Sequence, residues 1–141
     1  VIVLDTNVLS ALMREVPDQP VIDWLDAQAA ESIWITSITV FEAGLGLALL
    51  PKGKRRQALE SALDDLMVED FEGRVLDFDQ PAAEAAARLA ARRQRRGPTI
   101  EMRGTQIAGM VIARRSALAT RNVKHFPDLG IDVLTSSPCS A

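Results

Sequence analysis

Val1-Ile2-Val3-Leu4-Asp5-Thr6-Asn7 opens the chain: four apolar residues, mostly β-branched, run directly into three polar ones. A short unbroken apolar run of this kind predicts a strand buried on both faces, as in a parallel sheet. Val8, Leu9 and Leu12 then follow at helical spacing. The same alternation continues. Pro20 to Ala30 reads as a short helix with Ile22, Leu25 and Ala29 inward, and Ile33 to Thr36 as a second strand. Thr39 to Leu50 reads as a helix that opens on a capping box, Thr39-Val40-Phe41-Glu42, and is stopped by Pro51-Lys52-Gly53. Lys54 to Asp70 is amphipathic through Leu59, Leu63 and Leu66. Val75 to Phe78 is a third strand, Pro81 to Arg96 an alanine-rich helix, and Glu101 to Arg115 a helix with Ile107, Met110 and Val111 inward. Ala117 to Thr120 and Asp132 to Leu134 are the last strands.

Strands alternating with helices predict a central, mainly parallel sheet covered on both faces, a three-layer α/β/α domain spanning residues 1–141. Ligands of such sheets gather beyond the carboxyl ends of the strands. That directs attention to Asp5, to Thr36-Ser37 and to Thr120-Arg121-Asn122.

Composition sets the frame. Hydrophobic residues make up 48% and charged residues 25% of 141, which suits an ordinary globular protein and not a disordered one. The one cysteine, Cys139, forms no internal disulfide, which suits the cytoplasm. No apolar run is long enough to span a bilayer, so no membrane partner is expected. Net charge is −3, but it is unevenly spread. Arg88 to Lys124 holds ten Lys/Arg against one acid, Glu101, whereas Gln57 to Ala87 holds nine acids against Arg74. Separated blocks of opposite sign either form two solvated faces or put a basic surface on an acidic protein.

Three residues stand out at the sheet edge. Asp5 ends the first strand, where it caps the following helix or faces a site. Glu42 is the only charge between Val40 and Leu50. A helix that apolar is expected to be buried, and a carboxylate on it must be capped, paired, protonated or bound to a cation. Asn122 follows the fourth strand as a turn residue or a third polar group of a site. Converging oxygens suit magnesium, which takes one or two carboxylates plus waters. Other chemistries lack their parts. His125 is the sole histidine and has no evident serine or cysteine partner. Pro51-Lys52-Gly53-Lys54 is no phosphate loop, and Gly44-Leu45-Gly46 is no dinucleotide fingerprint. Cysteine and histidine are too few for zinc.

Val3-Leu4-Asp5-Thr6-Asn7-Val8-Leu9 resembles the opening of PIN domains, and Ser37-Ile38-Thr39-Val40-Phe41-Glu42 their second motif. Ile107-Ala108-Gly109 and Ala119-Thr120-Arg121-Asn122-Val123-Lys124-His125-Phe126 resemble the end of VapC- and FitB-like toxins of that family. The resemblance covers nearly the whole chain in order and spacing. It implies cleavage of RNA with Mg²⁺ or Mn²⁺, the metal held by Asp5 and Glu42, with Asn122 at a fourth catalytic position. Thr6, Asn7 and Thr120 are supporting residues in that reading. The third acid of the family falls on Gly104, which has no side chain to bind metal; Glu101, one helical turn earlier, is the candidate substitute. Arg92, Arg93, Arg95, Arg96, Arg103 and Arg121 are the expected RNA contacts. The resemblance also implies a cognate antitoxin, a homodimer, and operator DNA bound through the antitoxin complex. Gly104 keeps a second reading open: a catalytically silent module that still docks its antitoxin.

Overall fold

The computed structural model describes residues 1–14, 16, 18–97, 101–121 and 126, and the backbone of 133–135. Five short strands form one sheet: β1 (Ile2–Leu4), β2 (Ile33–Thr36), β3 (Val75–Leu76), β4 (Ala117–Thr120) and β5 (Val133–Thr135). Their order is β3-β2-β1-β4-β5, and every pair is parallel. The helices are α1 (Thr6–Met13), α2 (Gln19–Asp26), α3 (Ser37–Ala48), α4 (Lys54–Asp65), α5 (Gln80–Arg96) and α6 (Met102–Ala113). None of the described helices is long and apolar enough to cross a membrane.

The strand pleat sorts the core into two layers. Val3 and Leu118 point to one face, where they pack with Leu89, Ile107, Met110 and Val111 of α5 and α6. Leu4 and Ala119 point to the other, with Val8, Leu9 and Val21 of α1 and α2 and Phe71 beyond α4. The three-layer α/β/α architecture expected from the strand–helix alternation is therefore present, and both faces of β1 are buried.

Several boundaries differ from the sequence expectation, each for a local reason. α2 stops at Asp26, and Ala29 is exposed because a 3₁₀ turn over Ala30–Ser32 leads into β2. α3 begins at Ser37, because the hydroxyl of Thr36 accepts the N–H of Thr39 and caps the helix one turn early. The capping box from Thr39 to Glu42 is thus absent. α4 closes in a π-helical turn over Leu66–Asp70, where Phe71 N–H donates to the Leu66 carbonyl. β3 is only Val75–Leu76, since the backbone N–H of Phe78 donates to the Ser37 hydroxyl instead of continuing the ladder.

α3 is the largest departure. Its apolar composition predicts burial, yet only Thr39 and Leu47 are buried. Phe41 is 56% and Leu49 76% exposed. The helix lies at the edge of the domain against α1, α4 and α6, so one apolar side has no cover among the described residues of this chain.

α5 and α6 meet at Gly109. A β-carbon there would lie 2.6 Å from the backbone nitrogen of Ala86. That neighbour is main chain and cannot rotate away. Gly109→Ala should therefore destabilise the fold, by up to about 2 kcal/mol, because a main-chain clash puts the overpacking cost toward the upper end of about 1–3 kcal/mol, against roughly 1 kcal/mol gained in helix propensity. Urea unfolding measures this, and an unchanged midpoint would show that the two helices separate freely.

Candidate active site

β1 and its neighbours β2 and β4 deliver the site. The order places β1 between strands that follow it on opposite sides, so a crevice opens at its carboxyl end. Asp5 stands there. Its backbone N–H donates to the Ala119 carbonyl of β4 at 2.8 Å. Its Oδ1 accepts the N–H of Thr6 at 2.8 Å, which caps α1, and its Oδ2 accepts the hydroxyl of fully buried Thr120 at 2.8 Å. The cap and the site position suggested for Asp5 are therefore compatible.

Thr6 joins Asp5 to Glu42. Its N–H serves the first carboxylate, and its hydroxyl donates to Glu42 Oε1 at 2.8 Å. The Thr6 hydroxyl also lies 3.0 Å from that of Thr39, which is 3.3 Å from that of Thr36. This chain of threonines fixes Glu42 on the side of α3 that faces Asp5. Beside it, Asn7 Oδ1 accepts the backbone N–H of Arg121 at 3.3 Å, and Arg121 pairs with Asp18 at 3.0 Å.

α6 carries Gly104, where the third acid is expected. Gly104 lies in its first turn, and the neighbouring Arg103 reaches Glu42 Oε2 at 3.7 Å. Glu101 does not fill the missing acid's place: its carboxylate accepts the N–H of Gly104 as the cap of α6. Among the described residues no group of three His, Cys, Asp or Glu side chains is placed to hold one ion. Asp5 and Glu42 remain, two hard oxygen donors bridged by one threonine. That set fits Mg²⁺ or Mn²⁺ in the sense that magnesium takes one or two carboxylates and completes its shell with water. Asn122, the fourth expected position, and His125 lie outside the described residues.

A cleft of about 850 Å³ runs from Thr6 and Glu42 past Met13, Leu47, Leu50 and Leu59. Arg14, Lys54 and Arg55 also line it. A smaller cavity of about 310 Å³ between Leu12, Ile22, Leu66 and Phe71 contains none of the site residues.

The arginines expected on a single surface divide. Arg92, Arg95 and Arg96 are exposed on α5. Arg93 turns inward: its guanidinium donates to the buried Thr105 hydroxyl at 2.9 Å and lies 5.9 Å from the Phe126 ring centre. Arg121 is paired with Asp18, and Arg103 lies beside Glu42 at 3.7 Å. Sequence reasoning missed Thr39 as a site support because it read that residue as a cap, and it had no signal for Asp18.

The PIN domain sequence profile matches residues 2–129. The chain is 38% identical over 133 residues to the VapC ribonuclease Y4jK of Sinorhizobium fredii, spanning 94% of this chain and 95% of that one. It is 34% identical over 137 residues to Toxin FitB of Neisseria gonorrhoeae, spanning 97% of each. It superposes on a chain in the structure of FitAB bound to an IR36 DNA fragment with a TM-score of 0.85 at 32% identity, covering 96% of this chain and 95% of that one.

Proposed function

This chain belongs to the PIN-domain family, and on that premise we propose that it is the toxin of a type II toxin–antitoxin system, built as a metal-dependent endoribonuclease. The observation that carries the reading is the pairing of Asp5 and Glu42 through Thr6 at the carboxyl edge of the sheet. A divalent cation bound there supplies Lewis-acid activation of water and offsets charge on a phosphate. The chain's own residues prepare the place. Thr6 and Thr120 orient Asp5, and the Thr36-Thr39-Thr6 hydroxyls hold Glu42 in register with it. Asn122 belongs to the same site by its match to the family motif.

The partners are those that membership in the family implies, and surfaces of the chain suit them. The antitoxin is assigned to the cleft beside Glu42, whose apolar floor and cationic lining suit an amphipathic segment carrying acids. A second copy of the chain is assigned to the uncovered side of α3, which exposes Phe41 and Leu49. Operator DNA is assigned to the antitoxin complex, as the DNA-bound relative suggests. As a toxin acting on cellular RNA, the protein is proposed to work in the cytoplasm.

Gly104 supports a second reading, a silent module that docks antitoxin and cuts nothing. Cleavage of end-labelled RNA by the parent chain and by Gly104→Asp, with Mg²⁺ and after chelation, separates the two. Magnesium-dependent products from the variant support the nuclease scaffold; their absence from both leaves the docking module.

RNA binding is expected to run over the exposed side of α5. Charge reversal at Arg92, Arg95 and Arg96 should flatten the log–log salt slope by about one unit for each phosphate no longer neutralised. Binding titrations over a salt series read this directly, and an unchanged slope marks these arginines as a solvated face. Arg93 is excluded from the set, since it is tied to Thr105.

A further inference from the structure

Arg103 reaches from the first turn of α6 to α3, where its guanidinium lies 3.7 Å from Glu42 Oε2 and 5.1 Å from the centre of the Phe41 ring. The two oxygens of Glu42 are differently employed. Oε1 accepts the Thr6 hydroxyl inside the threonine chain. Oε2 is the one that Arg103 approaches. We propose that Arg103 is a tethered competitor for Glu42, a positive charge of the chain itself that opposes a divalent cation at the site and gives up Glu42, keeping its place over Phe41, when the cation enters. The inference rests on the reading of Asp5 and Glu42 as cation-binding carboxylates.

Three features favour competition over a structural ion pair. At 3.7 Å the contact is long, without the two parallel short bonds of a forked arginine–carboxylate pair. Both side chains meet solvent, at 42% and 23% exposure, and a pair of that kind holds weakly. Phe41 already carries the guanidinium on its ring face, so the arginine keeps an anchor if it gives up Glu42. The missing acid sharpens the effect. With glycine at 104, the described residues supply two site carboxylates, Asp5 and Glu42, so one arginine neutralises half of their charge.

Binding of Mn²⁺ to the full chain, followed by the paramagnetic resonance signal of the free ion, tests the competition without any RNA. Arg103→Gln should bind Mn²⁺ about tenfold more tightly than the parent, the scale of removing one nearby like charge in a partly solvated site. Arg103→Lys keeps the charge and should stay close to the parent. Arg103→Met keeps the apolar stem against Phe41 and should match Arg103→Gln, which guards against one variant folding poorly. Adding Glu42→Gln should abolish the gain. If Glu42→Gln weakens Mn²⁺ binding while neither Arg103→Gln nor Arg103→Met tightens it, the carboxylate reading stands and the competitor role is overturned. If Glu42→Gln leaves Mn²⁺ binding unchanged, or no variant binds Mn²⁺, the carboxylate reading fails and the inference fails with it.

Discussion

Gly104→Asp should raise magnesium-dependent RNA cleavage by about a hundredfold, the scale that misplacing a reacting group by about 1 Å costs. The family motif puts the third ligand at this position. Gly104 stands in the first turn of α6, next to Arg103, whose guanidinium already touches Glu42. The new side chain has one obstacle. Its β-carbon would fall 2.5 Å from Glu101 Oε2, while the Phe126 ring at 3.9 Å is in ordinary contact. Glu101 is exposed and the obstructing atom is the end of a flexible side chain, so it can swing out. That move gives up the cap on α6, worth about 1 kcal/mol. An aspartate in the first turn favours the helix dipole by roughly 0.3–1 kcal/mol, and removing a helical glycine regains up to about 1 kcal/mol. Stability should therefore change little in the presence of magnesium. Without it, the added carboxylate faces Glu101 and Glu42, and the variant should melt lower. Magnesium should thus raise the melting temperature of Gly104→Asp more than that of the parent, since a ligand stabilises the state that binds it. Equal cleavage by both chains at matched magnesium would show that position 104 holds no ligand.

The parts of this site that were legible in the sequence are those where one residue type has few uses. An aspartate at the end of a buried strand and a lone glutamate in an apolar helix each announce a constraint, and Thr6 is found bonded to both. The parallel sheet also follows from the alternation of short apolar runs with helices. What was not legible depends on which of several equivalent residues is chosen. Thr36 and Thr39 both suit an N-cap, and only the packed structure shows that Thr36 takes that role and leaves Thr39 to meet Thr6. Arg93 and Arg103 sit in one basic block, yet one turns to Thr105 and the other to Glu42. The apolar character of α3 shows a need for burial but not what meets it, because hydrophobicity does not say whether the cover is the same chain or a partner. The close approach of Gly109 to Ala86 is likewise a property of two helices brought together, not of either segment alone.

Asp5 has two duties, and two substitutions should separate them. Asp5→Asn in the Gly104→Asp background should lose cleavage by about a hundredfold or more while unfolding at nearly the same urea concentration. Asparagine retains a carbonyl oxygen for the N–H of Thr6, and its amide meets the Thr120 hydroxyl, which turns from donor to acceptor. Both hydrogen bonds survive, so the end of β1 and the start of α1 stay joined to β4. The amide is neutral, however, and a hard dication loses one of its two best-placed charges. Asp5→Ala removes the cap as well, about 1 kcal/mol, and takes an acceptor from the fully buried Thr120, a further cost of about 1–3 kcal/mol. It should therefore lose both stability and cleavage. Urea unfolding, Mn²⁺ affinity and RNA cleavage measured on the same three proteins distinguish the duties. Were Asp5→Asn to cleave as fast as its parent, Asp5 would be a helix cap and a tie to β4, and the metal would have to be held by Glu42 with residues other than Asp5.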